Sequence, residues 1–584
     1  MVDYEAARRD FKLDVPEYFN YTVDVFEKWA ADPSRVALMV GAADYGKIEL
    51  FTFEQLRRKI NQFCNLLRSR GVKKGDRLLV LSPWCHEWYV VVLGMIKMGV
   101  IPIATTTQSR PRDLQFRFEK SHAVGVVCAA ELSGGIDEVA PACPTLKHKL
   151  SVGATVPTGW IGLTDALAAQ AEEFDGYQPT RSDDLMLVYF TSGTVAYPKM
   201  VQHTQASYGI GHVLTAKFWH DLRPSDVHWT MTDTGWAKAA WGCLFGQWTV
   251  GARVFVSAAP KFEPQQTLLT IAKARITSFC APPTVYRILV RENLSAYDLS
   301  SVRHCTSAGE PLNPEVIRIW KDATGSEIYD GYGQTETVSL LANYPCVPIK
   351  AGSMGKPQPG FDVAIIDDEG NVQPAGNEGH VAIRIKPNRP LGFFHGYVDD
   401  PESTAAAFHG DWYYTGDRAY CDSDGYYWFV GRADDVIITS GYRIGPFEVE
   451  SALMEHPAVK ESAVVASPNE LRGEIVKAFV VLAPGYEPSQ ALVNALQQHV
   501  RTVTAPYKYP RAIEFVKELP KTVSGKIKRG ELKRREWATW RPGMKKIRRR
   551  RPRYGRAYRR LGFLGMLEHA RRLYLRPSKR KTNV

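Results

Sequence analysis

Short, uninterrupted apolar runs, RLLVL at 77–81 and AVGVVC at 123–128, alternate with longer stretches of helical period such as 53–70. This alternation leaves few folds open. A strand that is apolar along its whole length must be covered on both faces, and helices inserted between successive strands provide the cover. Layered, parallel α/β architecture is therefore expected over the first three quarters of the chain. At 584 residues the chain is longer than one core usually organises, so more than one domain is expected. The longest apolar run, WYVVVLGMIKMGVIPIA at 88–104, is interrupted by Lys97, Gly94, Gly99 and Pro102. It is shorter than the roughly 20 residues that span a bilayer, and it reads as a buried helix leading into a strand.

Beyond Pro357 the texture changes to short alternating segments, VAIID, GHVAIRI and GYYWFVG, separated by Gly, Asp and Asn turns, which predicts a smaller, mainly β subdomain. GRADDVIITSG at 431–441 joins that region to a mixed α+β segment ending near 537. The expected organisation is a large N-terminal domain at 1–433, a small mobile α+β domain at 434–540 and a basic tail at 541–584. The absence of an internal repeat with a period of roughly 20 to 50 residues excludes solenoids and propellers.

Composition matters at three points. The content of 45% hydrophobic, 23% charged and 11% aromatic residues excludes a disordered or collagen-like chain. The nine cysteines show neither a C-x-x-C pair nor zinc-ligand spacing, so free thiols in a reducing compartment are expected. The first residues lack the apolar core and cleavage site of a secretory signal, so a cytoplasmic location is expected. Charge is concentrated at one end. Residues 541–584 carry 17 Lys and Arg against the single acid Glu568, a tail of +16 that leaves 1–540 at −4 within the total of +12.

Several segments carry legible chemistry. In YFTSGTVAYPK at 189–199, Thr191, Ser192, Gly193 and Thr194 can present backbone N–H groups and hydroxyls to phosphate oxygens, and Lys199 adds positive charge. A Walker A loop would instead require G-x-x-x-x-G-K followed by Ser or Thr. In DGYGQTET at 330–337, Tyr332 offers an aromatic face, Thr335 a hydroxyl and Glu336 a hard oxygen ligand for Mg²⁺. Asp417 in YTGD can accept both hydroxyls of a ribose. Lys526, on a turn after Gly525, is a compact ammonium able to enter a cleft.

The 189–199 segment resembles the TSGT-(T/S)-G-x-P-K loop of the adenylate-forming, acyl-activating superfamily, which includes acyl-CoA synthetases, peptide-synthetase adenylation domains and firefly-type luciferases. SAGEPL at 307–312, DGYGQTET, YTGD, GRADD, SGYRIGP at 440–446 and LPKTVSGKIKR at 519–529 follow in that superfamily's order. VTAPYKYPRAIEFV at 503–516 is similar to the medium-chain acyl-CoA synthetase branch. The resemblance implies an enzyme that activates a carboxylic acid with ATP as an acyl-adenylate and transfers the acyl group to coenzyme A.

It further implies that Gly309, Glu310 and Pro311 flank the adenine, with Asp330, Gly331, Tyr332, Gly333 and Gln334 beside them. Asp417 and Arg432 would hold the ribose, Asp434 would be a hinge, and Arg443 would face the phosphates or the substrate. Lys526 would bridge the substrate carboxylate and the α-phosphate, and Thr335 and Glu336 would complete the catalytic set with Mg²⁺. Gln108, Ser440, Gly441, Tyr442, Arg472, Arg501, Tyr509 and Arg511 would contact coenzyme A. Trp236 and Gly331 would border the acyl pocket, with medium-chain, branched short-chain and simple aromatic acids all open.

One departure stands out. Val195 and Ala196 occupy positions where the family has Thr or Ser followed by Gly, which removes a hydroxyl and a residue free to adopt positive φ. Weakened nucleotide affinity or loop closure is the expectation, and a turnover-impaired binding protein is the rival reading. Arginines interleaved with Leu and Tyr in the tail fit an anionic membrane surface or nucleic acid, and a tail-driven scaffold is the third reading.

Overall fold

The computed structural model describes residues 1–191, 198–310, 312–433, 435–439, 442–469, 472–504, 506–522 and 526–539, with the backbone alone at Tyr442, Arg443, Pro506 and Thr539. Residues Met1–Ala538 form one compact unit. The fold class is α/β, as the alternation predicts.

Two large sheets carry the first part. In one, Leu185–Phe190, Ile101–Ala104, Arg77–Leu81, Gly125–Ala129, His148–Val152 and Ile161–Gly162 lie side by side and parallel. Met200–Thr204 returns antiparallel to Leu185–Phe190, and Gly396–Tyr397 adds antiparallel to Met200–Thr204. The other sheet has a parallel core of Val36–Gly41, Arg253–Ser257, Val227–Thr230, Ser278–Ala281, His304–Ala308 and Ile328–Gly333, edged by antiparallel strands at both ends.

The apolar run at 88–104 becomes helix His86–Met98 followed by strand Ile101–Ala104. Gly99 ends the helix in the left-handed conformation, φ 67°, where a side chain would be strained. Lys97, which interrupts the run, is buried with its ammonium 2.6 Å from Glu27 and 2.7 Å from Asn61 Oδ1. Those partners make a charge tolerable inside a packed helix pair. Among the described residues no helix is long and apolar enough to cross a membrane.

The change of texture beyond Pro357 corresponds to a third, antiparallel sheet containing Val363–Ile366, Glu378–Arg384, Phe408–His409, Trp412–Cys421 and Tyr427–Arg432. This region is not self-contained, because Gly396–Tyr397 crosses back to the first sheet. A fourth sheet follows, built on the hairpin Val459–Asn469 and Gly473–Leu482 with Ile437–Thr439, Tyr442–Ile444 and Ala512–Phe515. Its own core gathers Ile437, Val449, Leu453, Val464, Val480 and Leu496.

One close approach joins the two large sheets. Gly235 packs so tightly on the backbone of Thr105 and Thr106 that a Cβ there would overlap main-chain atoms. Asp233 seals the same contact, Oδ1 accepting from Gly235 N–H at 2.8 Å and Oδ2 from the Thr107 hydroxyl at 3.3 Å. Backbone cannot retreat as a side chain can. Gly235→Ala is therefore expected to lower the unfolding free energy by about 1–3 kcal/mol, read by chemical denaturation; an unchanged midpoint would show that the two loops separate freely.

Candidate active site

The sequence motifs fall at the carboxyl ends of strands, where open α/β sheets bind ligands. SAGEPL follows His304–Ala308, and DGYGQTET begins within the neighbouring strand Ile328–Gly333. Ser307 and Asp330 are register partners. The phosphate-loop candidate joins Leu185–Phe190 to Met200–Thr204, and its base is closed by Thr191 N–H donating to Lys199 O at 2.9 Å. Ser192, Gly193, Thr194, Val195 and Ala196 lie outside the described residues, as do Pro311, Asp434, Ser440, Gly441 and the tail.

Asp417 is the point of convergence. It sits on Trp412–Cys421 opposite Arg432 of Tyr427–Arg432, a cross-strand pair. Arg432 Nη1 donates to Oδ1 at 3.0 Å, while the Tyr332 hydroxyl at 2.6 Å and Gln334 Nε2 at 2.9 Å donate to Oδ2. Gln334 is itself oriented by Thr415 O and by the Tyr413 hydroxyl. Tyr332 therefore holds Asp417 through its hydroxyl as well as offering a face. A carboxylate has about four lone-pair positions, so Asp417 retains capacity for a ribose hydroxyl beside these donors.

Glu336 is buried, and burial raises its pKa above the ordinary carboxylate value. The Tyr397 hydroxyl donates to its Oε1 at 2.8 Å, and the Lys199 ammonium lies over the Tyr397 ring at 4.6 Å. The Thr335 carbonyl accepts from His203 Nε2 at 2.8 Å and from the Tyr208 hydroxyl at 2.7 Å. A carbonyl only accepts, which puts the proton of His203 on Nε2; burial holds its pKa down at about 3, so the ring is neutral. Sequence inspection passes over His203, Tyr208 and Tyr397. His203 was within reach of it, four residues after Lys199 on the return strand. Tyr397 was not, because only the pairing of Gly396–Tyr397 with Val201 and Gln202 brings it in.

Gly309 adopts φ 108° with no atom within 4 Å of a would-be Cβ, leaving an open approach that suits a flat base. Glu310 pairs with Arg287 at 3.5 Å. Lys526 closes a turn, its N–H donating to Thr522 Oγ1 at 3.0 Å and its carbonyl accepting from Thr522 N–H at 2.7 Å. Its side chain keeps exposed surface, yet surrounding protein lowers its pKa, against the opposing pull of Glu310 and Asp417. Among the carboxylates whose charge favours this ammonium are those of Glu310 and Asp417.

A separate cluster forms from the predicted coenzyme A contacts. The Arg501 guanidinium lies over the Tyr509 ring at 3.8 Å and that of Arg511 at 4.8 Å, with Arg511 Nη1 donating to the Tyr509 hydroxyl at 2.7 Å. Among the described residues no carboxylate pairs with either arginine. Arg472 sits at the tip of the hairpin beside Gly473, which pairs with Thr439, next to the 440–441 segment. Tyr442 and Arg443 lie on Tyr442–Ile444. Gln108 is exposed in the turn after Ile101–Ala104, held against the Trp236 loop by the Gly235 contact.

The sequence model of the AMP-binding enzyme family matches residues 25–398, and that of the AMP-binding enzyme C-terminal domain matches 448–526. The chain belongs to the AMP-binding enzyme family. It is 46% identical over 546 residues to acyl-coenzyme A synthetase ACSM3, mitochondrial, of Homo sapiens, covering 92% of this chain and 93% of the relative. Identity is 47% over 549 residues to acyl-coenzyme A synthetase ACSM4, mitochondrial, of the same organism, covering 92% and 94%. Among solved structures, the anthranilate CoA ligase AuaEII in complex with anthranoyl-AMP superposes with a TM-score of 0.83 at 32% identity, covering 90% of this chain and 98% of that one.

This member of the AMP-binding family is an AMP-forming acyl-CoA synthetase, using ATP, Mg²⁺ and coenzyme A to convert a carboxylic acid to its thioester through acyl-AMP. The expected cytoplasmic location is corrected by the relatives, which are named mitochondrial. The site fits Mg²⁺, which takes one or two carboxylates and fills its remaining positions with phosphate oxygens and water. Glu336 would supply one such carboxylate, its Oε1 accepting from the Tyr397 hydroxyl. The described residues hold no group of three His, Cys, Asp or Glu able to cage a metal by themselves.

Asp330 tests the electrostatics of this AMP-binding enzyme. Burial pushes its pKa up from 3.8 to about 8. The folded state holds the proton more tightly than the unfolded chain, so this group's stability contribution is lost as pH rises from about 4 to about 8. Asp330→Asn should therefore narrow the difference in Tm between pH 5 and pH 8, and a variant with the parent's pH dependence would contradict the burial.

Proposed function

We propose that the residues around Asp417 form the adenylation centre of this synthetase. The carrying observation is the convergence of Tyr332, Gln334 and Arg432 on one buried carboxylate, with Lys526 facing that same region from the C-terminal segment. Asp417 and Arg432 hold the ribose, Gly309, Glu310 and Asp330 to Gly333 border the adenine, and Thr191 and Lys199 with Ser192, Gly193 and Thr194 grip the phosphates. Lys526 bridges the acid's carboxylate and the α-phosphate, offsetting the charge that builds as the acid oxygen attacks phosphorus and pyrophosphate departs. Thr335 and Glu336 position the phosphate end, and Arg443 faces the phosphates or the acid.

Thioester formation requires a different set of groups at the same carbonyl. Rotation at Asp434 would withdraw Lys526 and bring the coenzyme A contacts in. The Arg501, Tyr509 and Arg511 cluster supports that reading, because two guanidiniums gathered on one ring, with no carboxylate paired to either among the described residues, suit phosphate oxygens. Gln108, Ser440, Gly441, Tyr442 and Arg472 complete the proposed contact. The acid belongs to the medium-chain, branched short-chain or single-ring aromatic class, bordered by Trp236 and Gly331. The tail at 541–584, of charge +16, is proposed to contact an anionic membrane surface or nucleic acid.

Lys526→Ala should cut acid-dependent pyrophosphate exchange by about 10²-fold or more while sparing thioester formation from supplied acyl-AMP; equal loss in both half-reactions would remove Lys526 from its role. Arg511→Ala should raise KM for coenzyme A by about tenfold with pyrophosphate exchange intact, and a slowed exchange would place Arg511 elsewhere. Binding of the full chain to anionic vesicles or to DNA should weaken steeply with salt and vanish for residues 1–540; binding retained by the shortened chain would exclude the tail as the contact.

A further inference from the structure

Tyr397 touches two of the candidate site residues with different parts of one side chain. Its hydroxyl donates to Glu336 Oε1 at 2.8 Å, and the Lys199 ammonium lies over its ring, 4.6 Å from the centroid. A phenol is protonated at neutral pH and an ionised carboxylate only accepts, so the direction of the hydrogen bond is fixed. Glu336 follows the strand Ile328–Gly333 of the second sheet, whereas Lys199 directly precedes Met200–Thr204 of the first. One side chain therefore meets an anion and a cation delivered by separate sheets.

Tyr397 is itself held in place. Residues 392–398 are stitched through the backbone to both of the segments that carry its partners. Toward Glu336, the Phe394 N–H donates to the Glu336 carbonyl at 2.7 Å, and the Val338 N–H donates to Gly392 O at 2.9 Å. Toward Lys199, the His395 N–H donates to Gln202 O and the Val398 N–H to Met200 O, each at 2.8 Å, with Tyr397 opposite Val201. The Tyr397 N–H donates to Thr404 Oγ1 at 3.0 Å, and its ring packs edge to face on Phe394 at 5.1 Å. Tyr397 is buried. Glutamate and lysine side chains, in contrast, have many rotamers, and their tips settle in one place only when a partner offsets the entropy lost.

A metal–nucleoside triphosphate is one ligand gripped at two points, the cation by a carboxylate and the phosphate oxygens by cationic side chains. The two grips act together only when their separation matches the ligand. We propose that Tyr397 is a positioning residue that sets this separation, its hydroxyl aiming the Glu336 carboxylate at the divalent cation and its ring seating the Lys199 ammonium toward the phosphates. This rests on the reading of Glu336 and Lys199 as metal and phosphate contacts. The hydroxyl and the ring carry separable halves of the role. Tyr397→Phe removes the first and keeps the second, and Tyr397→Leu removes both.

The test is calorimetric binding of ATP to the full-length enzyme without acid, once with Mg²⁺ and once in EDTA, the ratio of the two affinities being the cation's share. The proteins compared are the parent, Tyr397→Phe, Tyr397→Leu, Glu336→Gln and the Tyr397→Phe, Glu336→Gln double variant. Tyr397→Phe should lower the ratio about tenfold and leave the affinity in EDTA unchanged. Tyr397→Leu should lower the ratio as much and also weaken binding in EDTA about fivefold. Glu336→Gln should lower the ratio, and adding Tyr397→Phe to it should lower it no further. A ratio lowered by Glu336→Gln but unmoved by Tyr397→Phe overturns the positioning role and leaves the metal reading standing. A ratio unmoved by Glu336→Gln overturns the metal reading itself. Equal losses with and without Mg²⁺ in both Tyr397 variants would reduce Tyr397 to a structural prop and overturn the proposal.

Discussion

The carboxylate of Asp417 is the joint on which this molecule turns. It belongs to the antiparallel third sheet, yet two of its donors, Tyr332 and Gln334, come from the end of a parallel strand in the second. Its third, Arg432, is the last residue of the strand before GRADD gives way to the C-terminal segment. Charge-assisted hydrogen bonds of this kind are about twice as strong as neutral ones, and they draw the second and third sheets to one point. A site that must hold ATP while presenting its α-phosphorus needs its nucleotide end fixed before chemistry begins. Tyr332, Gln334 and Arg432 fix the Asp417 carboxylate at the proposed nucleotide end.

Burial works in opposite senses around this joint. Asp330 and Glu336 are both pushed toward their protonated forms by burial, and Lys526 toward its neutral form. Burial thus disfavours the charged form of each of these groups; a neighbouring anion favours the charged form of a lysine, and a neighbouring cation that of a carboxylate. The supporting groups are neutral by contrast. His203 stays uncharged against the Thr335 carbonyl and adds a hydrogen bond without adding to the local field.

Motifs were legible wherever chemistry is local. The loop at 189–199, DGYGQTET, YTGD and the turn at Lys526 are contiguous strings whose residue types match phosphate, ribose and carboxylate chemistry, and the alternation of apolar runs revealed the α/β layering. What the sequence concealed depends on pairing across long separations. Tyr397 reaches Glu336 only because a two-residue strand joins the first sheet, and that same strand ties the β region back to the α/β body. Arg501 is a coenzyme A contact implied by the resemblance, whereas its stacking on the Tyr509 ring is visible only in the fold. The location inferred from the N-terminus failed for a related reason, since a rule tuned to secretory signals is silent on other addresses.

The contact between the two large sheets carries a consequence of its own. Gly235 meets the backbone of Thr105 and Thr106, and Asp233 ties the same loops together. Main chain against main chain leaves no side chain whose size could be traded to move one sheet relative to the other. The spacing of the two sheets is thus set by the chain's backbone itself, and a loop exchanged on one side alone has to reproduce that surface atom for atom.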